Sequence, residues 1–525
     1  MRFASWAFLL FLAVLLPLYY LAPKRIQWVI LLLANALFVC AAGFLGAAFL
    51  LITIVTVYLA GRGMEALFAR QKSVLSAMRE THTKDERRAV RKRFENRRRA
   101  LLILCLIVNV GILFVLKYGA AIGALSSRIF ATPAFFGDLA LTMGISFYTF
   151  SAIGYLVDVL RETVPAERNP FKLALFLSFF PLLVQGPIVR YETLGQALQK
   201  PHTFSGERFL SGALRIAWGY WKKLLVADRL LVAVKALCAR PDVYRGSFVF
   251  LEMLLYAACL YADFTGGIDI TIGIGELFGV TVPENFRRPY FSKSIAEYWR
   301  RWHITLGEWF KSYVYYPLSV SKPMRALSQK ARRLGMGAAR RLPVYLATIL
   351  VWALTGAWHG SRLTFLVWGL LNGTVILISE ELKPLYARFH ARAPKLTGSA
   401  AYRGFAVIRT VLLLSSLRIL DCYTTVKDAF SAFFSMFTTW NVGALVRGGI
   451  ASLGVSWADY GVALFGVIAM FALSMVQRKG PIRPRILKKG IVPSVAVLLV
   501  LIGTILVFGR YGLGFDAEQF IYNRF

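Results

Sequence analysis

Acidic residues, histidine and cysteine are all scarce in this chain, and each scarcity closes off a class of function. Asp and Glu number 27 against 62 Lys and Arg, a formal charge of +35. Five histidines and five cysteines are spread over 525 residues. No His-x-x-x-His, Cys-x-x-Cys or carboxylate cluster sets three ligands at metal-site spacing, so no metal is expected. Cys40, Cys105, Cys238, Cys259 and Cys422 are odd in number and scattered, which excludes a disulfide framework and reads as small buried thiols. There is no Gly-x-Ser-x-Gly elbow and no P-loop, so serine hydrolase and NTP-driven pump readings lack their residues. No repeat period is evident, which counts against a transporter built from repeats.

What is abundant is apolar. A hydrophobic content of 57% exceeds the roughly 45–50% of soluble domains. The basic residues sit in short stretches between apolar segments, as the positive-inside rule requires. The partner implied is the lipid bilayer, and no nucleic acid is expected. The fold class is therefore all-α and polytopic, with about eleven spans: 4–22, 26–42, 44–60, 100–117, 139–160, the 248–282 region, 343–358, 363–381, 402–420, 459–476 and 491–509. The first of these follows only Arg2, and no small-residue cleavage site precedes Pro23, so it reads as a retained span rather than a signal peptide. The chain reads as one membrane-embedded domain, 1–525, made of an N-terminal helical unit (1–60), a basic helical hairpin (62–99), a core (100–420) and C-terminal helices (421–525). Loops 62–99, 311–341, 383–403 and 478–489 carry the densest Lys and Arg and go to the cytoplasm, which puts both termini and the 421–458 loop outside and requires the 248–282 region to cross and return, or not to cross at all.

Polar chemistry gathers in three places. Phe179 to Pro187 is apolar but broken by Pro and Gly, as in re-entrant segments buried in protein. Asp263, Gly266, Gly267 and Asp269 interrupt an apolar run, which reads either as a broken helix lining a polar cavity or as polar residues pairing to hold helices together. Glu297 to Phe310 reads as one amphipathic interfacial helix, with Trp299, Trp302, Leu306, Trp309 and Phe310 on its aromatic side, Glu297, Arg301 and Glu308 on its charged side, and His303 sharing a face with Trp299. Glu297 precedes Arg301 by four residues, the favourable order for a helical ion pair. A helix from Pro343 to Trp358 rises about 24 Å, short of a hydrocarbon core of about 30 Å, so His359 falls within the bilayer's depth. Intramembrane histidines are functional candidates, and an imidazole suits general-base chemistry near neutral pH.

Glu297-Tyr298-Trp299-Arg300-Arg301-Trp302-His303-Ile304-Thr305-Leu306, followed by Trp309, Tyr313 and Pro317-Leu318, resembles the signature of the membrane-bound O-acyltransferase family, in particular its bacterial alginate O-acetylation branch. Gly144 to Phe150, Gly186-Pro187-Ile188-Val189-Arg190, Tyr261-Ala262-Asp263-Phe264, Pro283-Glu284-Asn285-Phe286, Trp358-His359-Gly360 and the ending Gln519 to Phe525 match that branch in order. The resemblance implies an acetyltransferase with helices around a central funnel in a bacterial cytoplasmic (inner) membrane. It implies catalytic roles for His359 and His303, and a tunnel bordered by Asp263, Asp269, Asn285, Glu297, Trp299, Arg300, Arg301, Trp302 and Trp358. No tightly bound cofactor is implied. Acetyl-CoA is the expected acyl donor, an exported polysaccharide the acceptor, and an extracytoplasmic hydrolase-like acetyltransferase the partner. Val184-Gln185, Arg418 to Cys422 and Asn523-Arg524-Phe525 depart from the alginate branch and leave the acceptor polymer open. Acyl transfer for teichoic acid or peptidoglycan is the alternative within enzymes, and a polymer or lipid transporter the alternative outside them.

Overall fold

The computed structural model describes residues 3, 5–130, 144–511 and 520. The ending Gln519 to Phe525, apart from Phe520, and the first residues of the 139–160 segment lie outside the described residues. The chain divides into two compact units, one formed by 1–212 with 274–283 and the other by 213–273 with 284–525. Among the described residues the secondary structure is helical throughout, apart from one isolated β-bridge.

In the first unit the basic hairpin is the continuation of two long helices, Phe44–Ala77 and Lys84–Phe130. At 34 residues, Phe44–Ala77 is about 50 Å long and outruns the bilayer core. Its Arg- and Lys-rich end therefore needs water. The second helix starts with a capping box: the Thr83 backbone N–H donates to Glu86 Oε2 at 2.8 Å, and the Glu86 N–H donates to Thr83 Oγ1 at 3.3 Å. The Pro- and Gly-broken stretch forms two short helices, Pro170–Ser178 and Phe180–Gln185, that meet at Phe179. The N–H of Phe180 donates to buried Asn35 Oδ1 at 3.0 Å, so a protein group rather than lipid satisfies the backbone there. Gly144, with φ +78, opens the Ile145–Leu160 helix, and a Cβ on it would lie 2.8 Å from the Leu183 carbonyl oxygen. Only glycine serves there.

The second unit corrects two expectations. First, Ser247–Leu277 is one continuous 31-residue helix, not a broken one. A Cβ on Gly266 would lie 2.9 Å from the Gly219 carbonyl oxygen and one on Gly219 2.6 Å from that of Gly266, so the glycines allow two helix backbones to touch rather than ending a helix. Asp263 and Asp269 on this helix are ion-paired instead of lining a gap. Second, Glu297 to Phe310 is two short helices, Ile295–Trp299 and Ile304–Phe310, separated at His303. Among the described residues of both units, eight helices are long and apolar enough to cross a membrane, or nine if the pair Val426–Thr438 and Val442–Gly449, bent by 100°, counts as one, against the roughly eleven expected. Trp6–Leu21 and Ile145–Leu160 have 16 residues each, fewer than the roughly 20 a span needs. Ala400–Cys422 is long enough, but Arg403, Arg409, Arg418 and Asp421 lower its hydropathy. Of the cysteines, Cys105 and Cys259 are buried and Cys238 and Cys422 half-buried, whereas Cys40 is exposed on an apolar helix.

Alternation of the helices gives this second unit two distinct ends. Arg341, near the start of Met336–His359, pairs at 2.7 Å with Glu381, the last residue of Leu363–Glu381. At the other end, Arg362 donates to the backbone carbonyls of Asp421 (3.2 Å) and Tyr423 (3.3 Å). The basic stretches 311–341 and 383–403 thus meet one end of this helix group, and His359 stands at the other.

Candidate active site

His303 owes its place to a backbone conformation that its helix could not supply. Its φ of +49 and ψ of +52 are left-handed, a region that costs a non-glycine residue about 1 kcal/mol or more. Residues 285–287 hold it there by pairing with 301–304: the Arg287 N–H donates to the Arg301 carbonyl (2.9 Å) and the Ile304 N–H to that of Asn285 (3.0 Å). Asn285 Oδ1 accepts from the Thr305 N–H at 3.1 Å and from Thr305 Oγ1 at 2.9 Å. The backbone donor identifies that atom as the amide oxygen. His303 Nδ1, 3.3 Å from the same oxygen, must therefore carry the proton, which puts the ring's lone pair on Nε2. Burial, and secondarily the Arg418 guanidinium, push His303 down to about 3, so the ring is a neutral imidazole at physiological pH.

His359 is the last residue of Met336–His359 and is 4% exposed. It is set by close packing of that helix against Leu363–Glu381. A Cβ on Gly356 would lie 2.4 Å from the Phe365 carbonyl oxygen, and one on Gly369 2.3 Å from that of Trp352. The approach brings the Trp368 ring to 4.8 Å from the His359 ring, centroid to centroid. Gly356→Val should force these helices apart. We expect a loss of about 1–3 kcal/mol, read as a lowered unfolding midpoint of the detergent-solubilised protein, together with reduced activity. An unchanged midpoint would remove the packing argument.

Both histidines line one cavity of ≈ 230 Å³. Trp299, Trp302, Leu306, Phe310 and Trp352 form its apolar wall, and Thr348, Thr355, Lys311 and Tyr315 supply polar groups. Thr348 and His359 are eleven residues apart on one helix, so the cavity follows it for about 16 Å. Lys311 is exposed. Trp358 stands between the histidines, its ring centroid 6.1 Å from His303 and 4.9 Å from His359.

The remaining candidates from the sequence take other places. Asn285 lies behind His303 rather than on the cavity. Glu297 pairs with Arg301 at 2.6 Å, as the four-residue spacing predicts, and its Oε2 accepts from the Lys293 N–H at 2.8 Å. Arg300 is exposed. Asp263 pairs with Lys223 (2.6 Å), and Asp269 with Arg215 (2.9 Å) and Lys222 (2.6 Å), as polar residues that hold helices together.

Sequence reasoning missed Arg418, which the family comparison marked only as a departure. Its guanidinium carbon lies 4.8 Å from the Trp368 ring centroid, 5.5 Å from that of Trp302 and 5.8 Å from that of Trp299, and Nη1 bonds Asp421 Oδ2 at 2.9 Å. It stiffens the tryptophan wall behind the histidines. The Arg418-x-x-Asp421 spacing of an ion pair on one helix face was its only signal in the sequence.

Two buried histidines on one aromatic-walled cavity suit proton transfer in a site sheltered from water. Residues 164–331 match the model of the membrane-bound O-acyltransferase family. A protein named "Probable alginate O-acetylase" from Pseudomonas syringae pv. tomato is 31% identical over 90% of this chain and 82% of its own length. The chain belongs to the membrane-bound O-acyltransferase family. A Pseudomonas aeruginosa protein of the same name is 31% identical over 92% of this chain and 84% of its own. A peptidoglycan O-acetyltransferase of Helicobacter pylori is 33% identical over 57% of this chain and 59% of its own. This membrane-bound O-acyltransferase is thus a multi-pass membrane enzyme, and the transporter reading falls. The carboxylates that suggested a transport path are the ones paired with Lys222, Lys223 and Arg215.

Proposed function

We propose that this protein moves an acetyl group from a cytoplasmic donor, acetyl-CoA, toward an exported cell-surface polysaccharide. The observation that carries the reading is the single cavity reaching from His359 to Lys311, with His303 on the same wall. Lys311, at the end near the basic 311–341 stretch, gives an anionic nucleotide carrier a counter-charge. The tryptophan wall shields a thioester from hydrolysis along its course.

In the proposed step a hydroxyl of the acceptor attacks the thioester carbonyl. His359 takes the hydroxyl proton as the C–O bond forms, and the thiol leaves as the C–S bond breaks, taking up that proton. A proton on His359 sits at a helix C-terminus, where the carbonyl dipoles stabilise positive charge. His303, neutral and locked by Asn285, orients the reacting groups. An extracytoplasmic hydrolase-like acetyltransferase is the proposed partner that completes delivery to the polymer, and the relatives named for alginate and for peptidoglycan support the acceptor class.

The orientation proposed is cytoplasmic for the basic stretches and extracytoplasmic for both termini, in a bacterial inner membrane. Cysteines introduced at Lys92 and at exposed Trp440, in a background without native cysteine, should label from opposite sides with an impermeant reagent. Labelling of both from one side would overturn the orientation. Protein in sealed vesicles should consume acetyl-CoA only from the face bearing residues 311–341. Consumption from the other face alone would end the donor assignment.

A further inference from the structure

Three helices of the second unit bring together side chains that are far apart in sequence and outside the histidine cavity. Cys238 lies near the end of Asp228–Ala239, Glu252 in the first turns of Ser247–Leu277, and Cys422 at the end of Ala400–Cys422. One ligand atom from each, two thiol sulfurs and a carboxylate oxygen, lie within 4.8 Å of one another. Glu252 is fully buried. Its Oε2 accepts from the Tyr423 hydroxyl at 2.7 Å, whereas its buried Oε1 has no hydrogen bond.

A buried carboxylate oxygen that meets only the weak S–H donors of Cys238 and Cys422 is costly unless something more electropositive meets it. Two thiols beside it are soft donors, and Tyr423 holds the carboxylate from behind as the orienting partners of metal ligands do. We propose that Cys238, Glu252 and Cys422 form a binding site for a soft divalent cation of the zinc class. Donors at about 2.3 Å on a tetrahedron stand about 3.8 Å apart, so the observed cluster needs a contraction of at most about 1 Å. Binding sends two thiol protons to solvent and leaves the fourth position to water.

The site would act as a staple. Tyr423 belongs to the apolar cluster that contains Trp368 and Met253, against which Trp299, Trp352 and Cys422 pack. Tying the ends of three helices together here fixes the far side of the wall that carries Trp368 beside His359. The proposal does not depend on the identity of donor or acceptor.

The test is a cobalt(II) titration of the full-length, reduced and metal-stripped protein in detergent. One equivalent should produce thiolate-to-cobalt charge-transfer absorption and be displaced by zinc. The Cys238→Ser/Cys422→Ser double variant should weaken binding by more than about 100-fold, and Glu252→Gln by about tenfold or more, since even the outer partners of metal ligands are worth 10- to 100-fold. Absence of the charge-transfer band in folded wild type overturns the proposal without reference to any variant. So does unchanged binding in the double variant. A Cys238–Cys422 disulfide, found by mass spectrometry of protein alkylated before reduction, overturns it as well and assigns the pair to oxidation instead.

Discussion

His359→Ala removes acetyl transfer by about 10²- to 10⁴-fold, the range in which a positioned general base contributes, while the protein remains folded. The ring lies at the end of a helix whose position is set by the Gly356 and Gly369 contacts, not by the imidazole. The space it leaves adjoins an existing cavity, which spares the variant much of the cost of a sealed void. The assay supplies radiolabelled acetyl-CoA to detergent-purified protein with an acceptor glycan or the partner, and counts acetyl groups transferred. Elution volume and unfolding midpoint report the fold, and His359→Gln, which keeps bulk and loses the base, separates chemistry from packing. His303→Ala should lower turnover less, because a ring that orients can be replaced in part by substrate binding. Undiminished transfer by folded His359→Ala would mean that the chemistry belongs to another residue.

The histidines were legible in the sequence as polar groups in apolar surroundings, and so were most helices, because a hydrophobic run of the right length is a local signal. Their common cavity was not. His303 requires a left-handed backbone that no local preference of Trp302-His303-Ile304 announces, and it exists because Asn285 to Arg287 pair with 301–304. A helical period drawn through 297–310 therefore placed His303 on a helix face that does not exist. The reading of Asp263 and Asp269 stayed open for a similar reason. Their cations lie some 40–54 residues earlier, and composition alone cannot pair charges that only a helix crossing brings together. Arg418 shows the same limit, since its worth lies in three tryptophans contributed by two other parts of the chain. Cys238 and Cys422 looked unrelated because nothing in their spacing reports that two helix ends meet.

Lys223→Ala should unfold or severely destabilise the protein, with an expected loss of about 3–5 kcal/mol. Lys223 has no exposed surface, and its ammonium lies 2.6 Å from Asp263 Oδ1 and 2.8 Å from Asp228 Oδ1, both side chains being about 1% exposed. Removing the cation leaves two buried carboxylates facing each other's charge without the ammonium that made them tolerable, which is worse than having no charges there at all. The companion variant makes the argument decisive. Lys223→Met/Asp228→Asn/Asp263→Asn keeps approximate side-chain volume and carries no net charge, so it should recover most of the loss, as buried ion pairs replaced whole by uncharged groups often do. The measurement is the unfolding midpoint in detergent for wild type, single and triple variants. A single variant as stable as wild type would show that water or another cation reaches the carboxylates. A triple variant as damaged as the single would show that hydrogen-bond geometry, not charge, holds these helices together.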